Sequence, residues 1–167
     1  MIKKAGNLLL LLFVVVSGLV ACTQQRSPCY EPTIVYAAMG SYRLVDTSSV
    51  DTFLPNPIIG SIDSPYLKSQ PEPRNRFSVI FSPFRDSMRY YLQGDIISDS
   101  TTYTIEQVDT LTFYYASELT FISNACGYTY YYTINDIKTT HNSIDSISII
   151  DRNVDNNVNT QHVKIYY

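Results

Sequence analysis

Asp109-Thr110-Leu111-Thr112-Phe113-Tyr114-Tyr115 alternates apolar and polar side chains at a period of two, with Leu111, Phe113 and Tyr115 set against Thr110, Thr112 and Tyr114. Successive side chains of a strand point to opposite faces, so this stretch reads as a half-buried β-strand. The same pattern spreads in both directions. Upstream, Phe77, Val79 and Phe81 oppose Ser78 and Ser82, and Met88, Tyr90 and Leu92 alternate with Arg89, Tyr91 and Gln93. Residues 101–107 read as a further strand. Downstream, Leu119 and Phe121 oppose Glu118 and Thr120, followed by stripes of Tyr128, Tyr130, Tyr132 and Ile134, of Ile147 and Ile149, and of Val163, Ile165 and Tyr167. Residues 30–39 and 41–46 read as the first two strands, with Gly40 at a break between them.

No helical stripe interrupts this. Between Leu54 and Arg76 stand Pro55, Pro57, Pro65, Pro71 and Pro73, and proline gives no amide to a ladder, so this part is expected to be loop apart from a short edge strand at Ile58, Ile59 and Ile62. About ten strands with one apolar face each must bury those faces against one another. The expectation is an all-β fold, an antiparallel β-sandwich of immunoglobulin-like kind, with a small closed β-barrel as the alternative.

The amino-terminal part is different. Lys3 and Lys4 precede an apolar core over residues 8–16, and Leu19-Val20-Ala21-Cys22 closes it. This is the layout of a secretory signal, and a cysteine after the small-residue exit resembles a bacterial lipoprotein signal. In lipoproteins of that kind, cleavage leaves the cysteine first and fatty-acylated, so Cys22 is the expected lipid attachment residue. Residues 8–21, interrupted by Ser17 and Gly18, fall short of the roughly 20 apolar residues a membrane span needs. The expected organisation is a signal peptide over 1–21, a lipidated cysteine with a short tether over 22–29, and one domain over 30–167. Six residues separate Cys22 from Cys29 and reach at most about 20 Å, so the body would sit close to a membrane.

Losing Cys22 to acylation leaves Cys29 and Cys126, and an even pair in an exported chain is most simply a disulfide. Without Lys3 and Lys4 the mature chain carries 10 basic against 15 acidic residues. Nucleic acid is not an expected partner on that balance, since phosphate binding needs clustered Lys and Arg. The densest basic group, Arg74, Arg76, Arg85 and Arg89, is diluted by Asp86. Membrane contact rests on the anchor.

Residues 109–115, then Phe121-Ile122-Ser123-Asn124-Ala125-Cys126-Gly127, Ile144-Asp145-Ser146 and Val163-Lys164-Ile165-Tyr166, together resemble a family of small uncharacterised Bacteroidota lipoproteins over about residues 77–167. That resemblance implies compartment and architecture, and no activity. In the lipoproteins this chain resembles, an acidic run after the cysteine tends to mark display outside, so through that resemblance the lack of one after Cys22 implies the periplasmic face of the outer membrane.

Candidate chemistry is sparse. Asp151-Arg152-Asn153-Val154-Asp155-Asn156-Asn157 resembles the start of a calcium loop, but a calcium loop's glycine at position six and glutamate at position twelve are replaced by Asn156 and His162, and the run reads as a polar hairpin connection. His141 and His162 read as surface or turn residues, and no metal site is expected. The nucleophile elbow, phosphate loops and zinc-protease signature are absent, so neither an enzyme nor a cofactor is expected. Tyrosine is abundant, with 15 copies and no tryptophan. Tyr91, Tyr114 and Tyr131, opposite their strands' apolar faces, are expected to be exposed. Gathered, they would stack a sugar or seat a peptide; scattered, they are ordinary strand formers. The functional expectation is a non-catalytic, membrane-anchored envelope module that docks a protein partner or serves a structural role, with a surface glycan or peptide binder as the alternative and a hydrolase, which would need a pocket gathering His141 or His162 with carboxylates, as the less favoured one.

Overall fold

The computed structural model describes residues 28–45, 48–52, 54, 57–64, 75–95 and 106–167. Signal residues 1–21, Cys22 and most of the expected strand over 101–107 lie outside them. Ten strands and no helix are found among the described residues: β1 (Ala37–Val45), β2 (Ser48–Asp51), β3 (Ile58–Ser61), β4 (Arg76–Val79), β5 (Ser87–Asp95), β6 (Glu106–Ser123), β7 (Gly127–Thr139), β8 (Ser146–Ile149), β9 (Asn153–Val154) and β10 (Val163–Tyr166). They form two five-stranded sheets, one ordered β2-β1-β10-β8 with β4 also on β1, the other ordered β3-β5-β6-β7-β9. The fold is the all-β sandwich expected. One pairing departs from the antiparallel rule, because β10 runs parallel to β1, with Met39 opposite Val163 and Tyr42 opposite Tyr166.

The alternating faces meet in one core. Val35, just before β1, and Ala37, Met39, Phe77, Val79, Val163 and Ile165 of the first sheet form one core with Met88, Tyr90, Leu92, Leu111, Phe113, Tyr115, Tyr132 and Ile134 of the second. Phe81, on the passage from β4 to β5, is its hub. Its ring stacks on Tyr115 at 4.4 Å and meets Tyr132 edge-on at 5.5 Å and Phe113 at 5.3 Å. Buried tyrosines must place their hydroxyls, and three place them on this passage: Tyr90 donates to the Ile80 carbonyl, Tyr132 to Phe81 at 3.0 Å and Tyr115 to Ser82 at 2.9 Å. Burial, with the neighbouring Ser82 bond acting against it, pushes the Tyr115 phenol up to about 12. Much of the tyrosine content is thus structural.

Three local expectations are corrected. Gly40 is no break, since β1 runs through it. A Cβ there would stand 2.5 Å from Gln161 Nε2 and 2.8 Å from Tyr42 Cε2, so the glycine leaves room for a crossing side chain. The strand assigned to residues 30–39 begins only at Ala37. Residues 151–157 are not a simple hairpin connection, because β9 crosses to the other sheet and pairs with Tyr132 and Thr133 of β7. Its polar side chains are used locally: Asp151 accepts from Asn153 N at 2.9 Å and Asp155 from Asn157 N at 2.8 Å.

His162 is the fourth correction. It is 1% exposed, and it begins the parallel pair by bonding Ala38 twice. Its amide donates to the Ala38 carbonyl at 2.9 Å, and its Nδ1 accepts the Ala38 amide at 3.0 Å. An accepting Nδ1 means a neutral ring. Burial holds the imidazole below its ordinary pKa, against the Asn153 backbone and the carboxylates of Asp151 and Asp155. His141 does sit in an exposed turn, at φ 56.

Candidate functional site

β6 has 18 residues and β7 has 13, against two to nine in every other strand. β5 accompanies β6 only up to Ser87 opposite Tyr114, and β9 touches β7 only at Tyr132 and Thr133. Beyond those points the two long strands continue as a two-stranded hairpin, with Leu119 opposite Tyr130 and Phe121 opposite Tyr128. These four extend the core-facing stripe of Tyr115 and Tyr132 past the end of the first sheet. The sequence pattern gives their face correctly, but its expected burial fails, because nothing in the first sheet is long enough to cover it. Leu119 is 55% exposed, Phe121 51% and Tyr128 65%. Phe121 and Tyr128 touch edge to face at 5.2 Å, and Phe84, 87% exposed, reaches Tyr130 at 6.4 Å. Ser117 donates its hydroxyl to the Pro83 carbonyl at 3.1 Å, fixing the loop that carries Phe84 beside the stripe.

An isolated two-stranded hairpin is marginal in water, and this one is held at its turn and along its back. Cys126 in the turn is bonded to Cys29, with Cα atoms 4.8 Å apart. This is the expected disulfide. Gly127 follows at φ 73, a conformation that side chains rarely adopt. On the outer face Thr129 donates to the Thr33 carbonyl at 2.6 Å, and Asn156 donates to Glu31 at 3.1 Å. The amino-terminal segment therefore lies against the back of the hairpin. A groove lined in part by Pro28, Tyr30, Phe121 and Cys126 runs where that segment meets the tip.

The tyrosines singled out from sequence do not gather. All three are on the outer face of the second sheet, but Tyr91 pairs opposite Thr110, Tyr114 lies four residues further along β6, and Tyr131 pairs opposite Glu118 after another four. Each step is about 13 Å. Only Tyr114 counts as exposed, with Lys138 Nζ 5.5 Å from its ring centre. Tyr91 is half-buried because its ring fills the space a side chain on Gly60 would take. Tyr131 is half-buried beside Asn156 and Glu31 in the groove at the tip.

Among the described residues one charged group is buried, and sequence reasoning missed it. Asp109 is fully buried. Its carboxylate accepts from Thr140 Oγ1 at 2.7 Å, Asn142 N at 2.6 Å, Ser143 N at 2.8 Å, Ser143 Oγ at 2.6 Å and Ile144 N at 3.1 Å. Burial alone would raise its pKa, but the Ser143, Asn142 and Thr140 bonds outweigh it and hold the carboxyl below the usual range. With every oxygen occupied by a fixed donor, this group folds the β7–β8 connection and has no lone pair directed at a substrate. A second carboxylate, Asp63, is held low mainly by its hydrogen bonds to Arg89 and lies 3.6 Å from Arg85. Two members of the basic group thereby share one carboxylate.

No curated protein and no solved structure matches this chain. A family match covers residues 59–167, from the edge strand β3 through the hairpin and the Asp109 loop to β10, which is more than half of the chain. The chain therefore belongs to DUF6452, a family of unknown function.

Proposed function

We propose that this chain is an exported lipoprotein, acylated on Cys22 and held at the outer membrane with its body on the periplasmic side, whose sandwich is a non-catalytic docking module for an envelope protein. The observation that carries this reading is Leu19-Val20-Ala21-Cys22 behind an apolar core and two lysines, a layout that suits lipid attachment and falls short of a span. The Cys29–Cys126 bond supports it, since such bonds persist in oxidising compartments. His162 is spent on Ala38 and Asp109 on its loop, which supports a binding rather than a catalytic role. Tyr91, Tyr114 and Tyr131, the residues named for the alternative glycan or peptide binder, do not cluster and so lend it no support.

Mass spectrometry of the amino-terminal peptide from native membranes tests the anchor. Cys22 as the first residue, bearing acyl chains, is the expected result, and an intact residue 1–21 segment would end the proposal. Crosslinking in intact envelopes should then return one dominant protein partner at native expression.

A further inference from the structure

The uncovered end of the β6–β7 hairpin has a definite occupant, and we infer that it is the phospholipid leaflet carrying the anchor: Leu119, Phe121, Tyr128, Tyr130 and Phe84 rest in its headgroup and upper acyl region. The inference deepens the lipoprotein reading and rests on it. Two independent observations meet at this spot. The first is the face itself, a continuation of the hydrophobic core into solvent, with two phenylalanines, one leucine and two tyrosines and no charged side chain among them. Aromatic residues with one apolar and one polar end favour the membrane–water boundary, and apolar side chains there sink about 5–10 Å.

The second observation is where the tether attaches. Cys29 is covalently fixed to Cys126 in the turn of this same hairpin, and Pro28 lines the groove beside Phe121. From that point the seven steps back to Cys22 allow at most about 25 Å. Whatever way the body turns, an acylated Cys22 keeps the hairpin tip next to the bilayer. A patch too small to hold a membrane by itself is engaged there, because a short tether replaces the search for a lipid surface by a high effective concentration of it. The mature chain's excess of acidic residues makes attraction to anionic headgroups a poor alternative, so the contact is apolar and insensitive to salt.

The chain contains no tryptophan, so one introduced residue is a unique fluorophore. Phe121→Trp reports from the patch. Val108→Trp, on an exposed residue of the same strand, lies about 43 Å back along it. Each full-length variant is purified from membranes, checked for wild-type melting and for acylated Cys22 by mass, and reconstituted in phosphatidylcholine vesicles with or without brominated acyl chains. The expected result is that tryptophan at 121 shifts to the blue and loses most of its emission to the bromines, while tryptophan at 108 does neither, at low and high salt alike. Acylated protein in which both positions stay unquenched overturns the inference and leaves the lipoprotein reading intact. A blue shift at 121 without quenching by bromines also overturns it, by assigning the face to a protein or a second copy. Absence of acyl chains on Cys22 sinks the lipoprotein reading, and this inference with it.

Discussion

Asp109 and Ser143 are joined twice: one carboxylate oxygen accepts both the Ser143 amide at 2.8 Å and its hydroxyl at 2.6 Å, 34 residues apart in the chain. Together with the Asn142 and Ile144 amides these bonds convert an irregular connection into a fixed turn between β7 and β8.

Asp109→Asn should therefore destabilise the domain by about 3 kcal/mol, because an amide has one acceptor oxygen and leaves buried loop donors unpaired. The carboxyl's folded pKa lies below its ordinary value of 3.8. Its contribution is present above the unfolded value and is lost as pH falls through the folded one. Urea midpoints at pH 7 and pH 3 should show a large gap between wild type and Asp109→Asn at neutral pH that narrows in acid.

His162 predicts an earlier acid response. Its folded pKa lies below the ordinary 6.5, so the unfolded chain binds the proton more readily and stability falls as pH drops from about 6.5 through the folded value. His162→Asn retains an acceptor for the Ala38 amide but does not titrate. Its thermal midpoint should change less between pH 7 and pH 5 than that of the wild type, and parallel curves would refute the assignment.

Reducing Cys29–Cys126, or replacing both residues by serine, should cost about 2–5 kcal/mol, as expected for a bond closing a loop of about 100 residues. Loss should be greatest at the hairpin end. Hydrogen exchange of residues 119–130 should rise more than that of Leu111 or Phe113, and uniform exchange would count against a pinned tip.

Gly40→Ala should cost about 1–3 kcal/mol by overpacking. Its new methyl meets the Gln161 amide and the Tyr42 ring, which are themselves hydrogen-bonded at 2.9 Å. In a double-mutant cycle with Gln161→Ala, the two costs should fall short of additive, because the second change vacates the space the first one needs.

Strand existence and facing were legible because alternation reports both. Leu111, Phe113, Tyr115, Val163 and Ile165 are buried where the pattern puts them. Burial at the hairpin end was not legible from periodicity, which says which side Leu119 and Phe121 face but not whether an opposing sheet reaches them. The partial signal was in length: apolar positions recur at a period of two from Leu111 to Phe121, broken only at Ser117, and return from Tyr128 to Ile134. Asp109, Gly40 and His162 were misread or missed for one reason. Each is specified by a partner more than 30 residues away in the chain, and a local pattern carries no trace of such a partner.

β10 lies between β1 and β8, and its first contact, Ala38 with His162, spans 124 residues. The inner strand of one sheet is thus synthesised after both of its neighbours, and neither neighbour bonds to the other without it. Such distant closure is slow, on the order of milliseconds to seconds. A ribosome product ending before β10 would lack the strand that joins β1 to β8 and would leave their facing edges open.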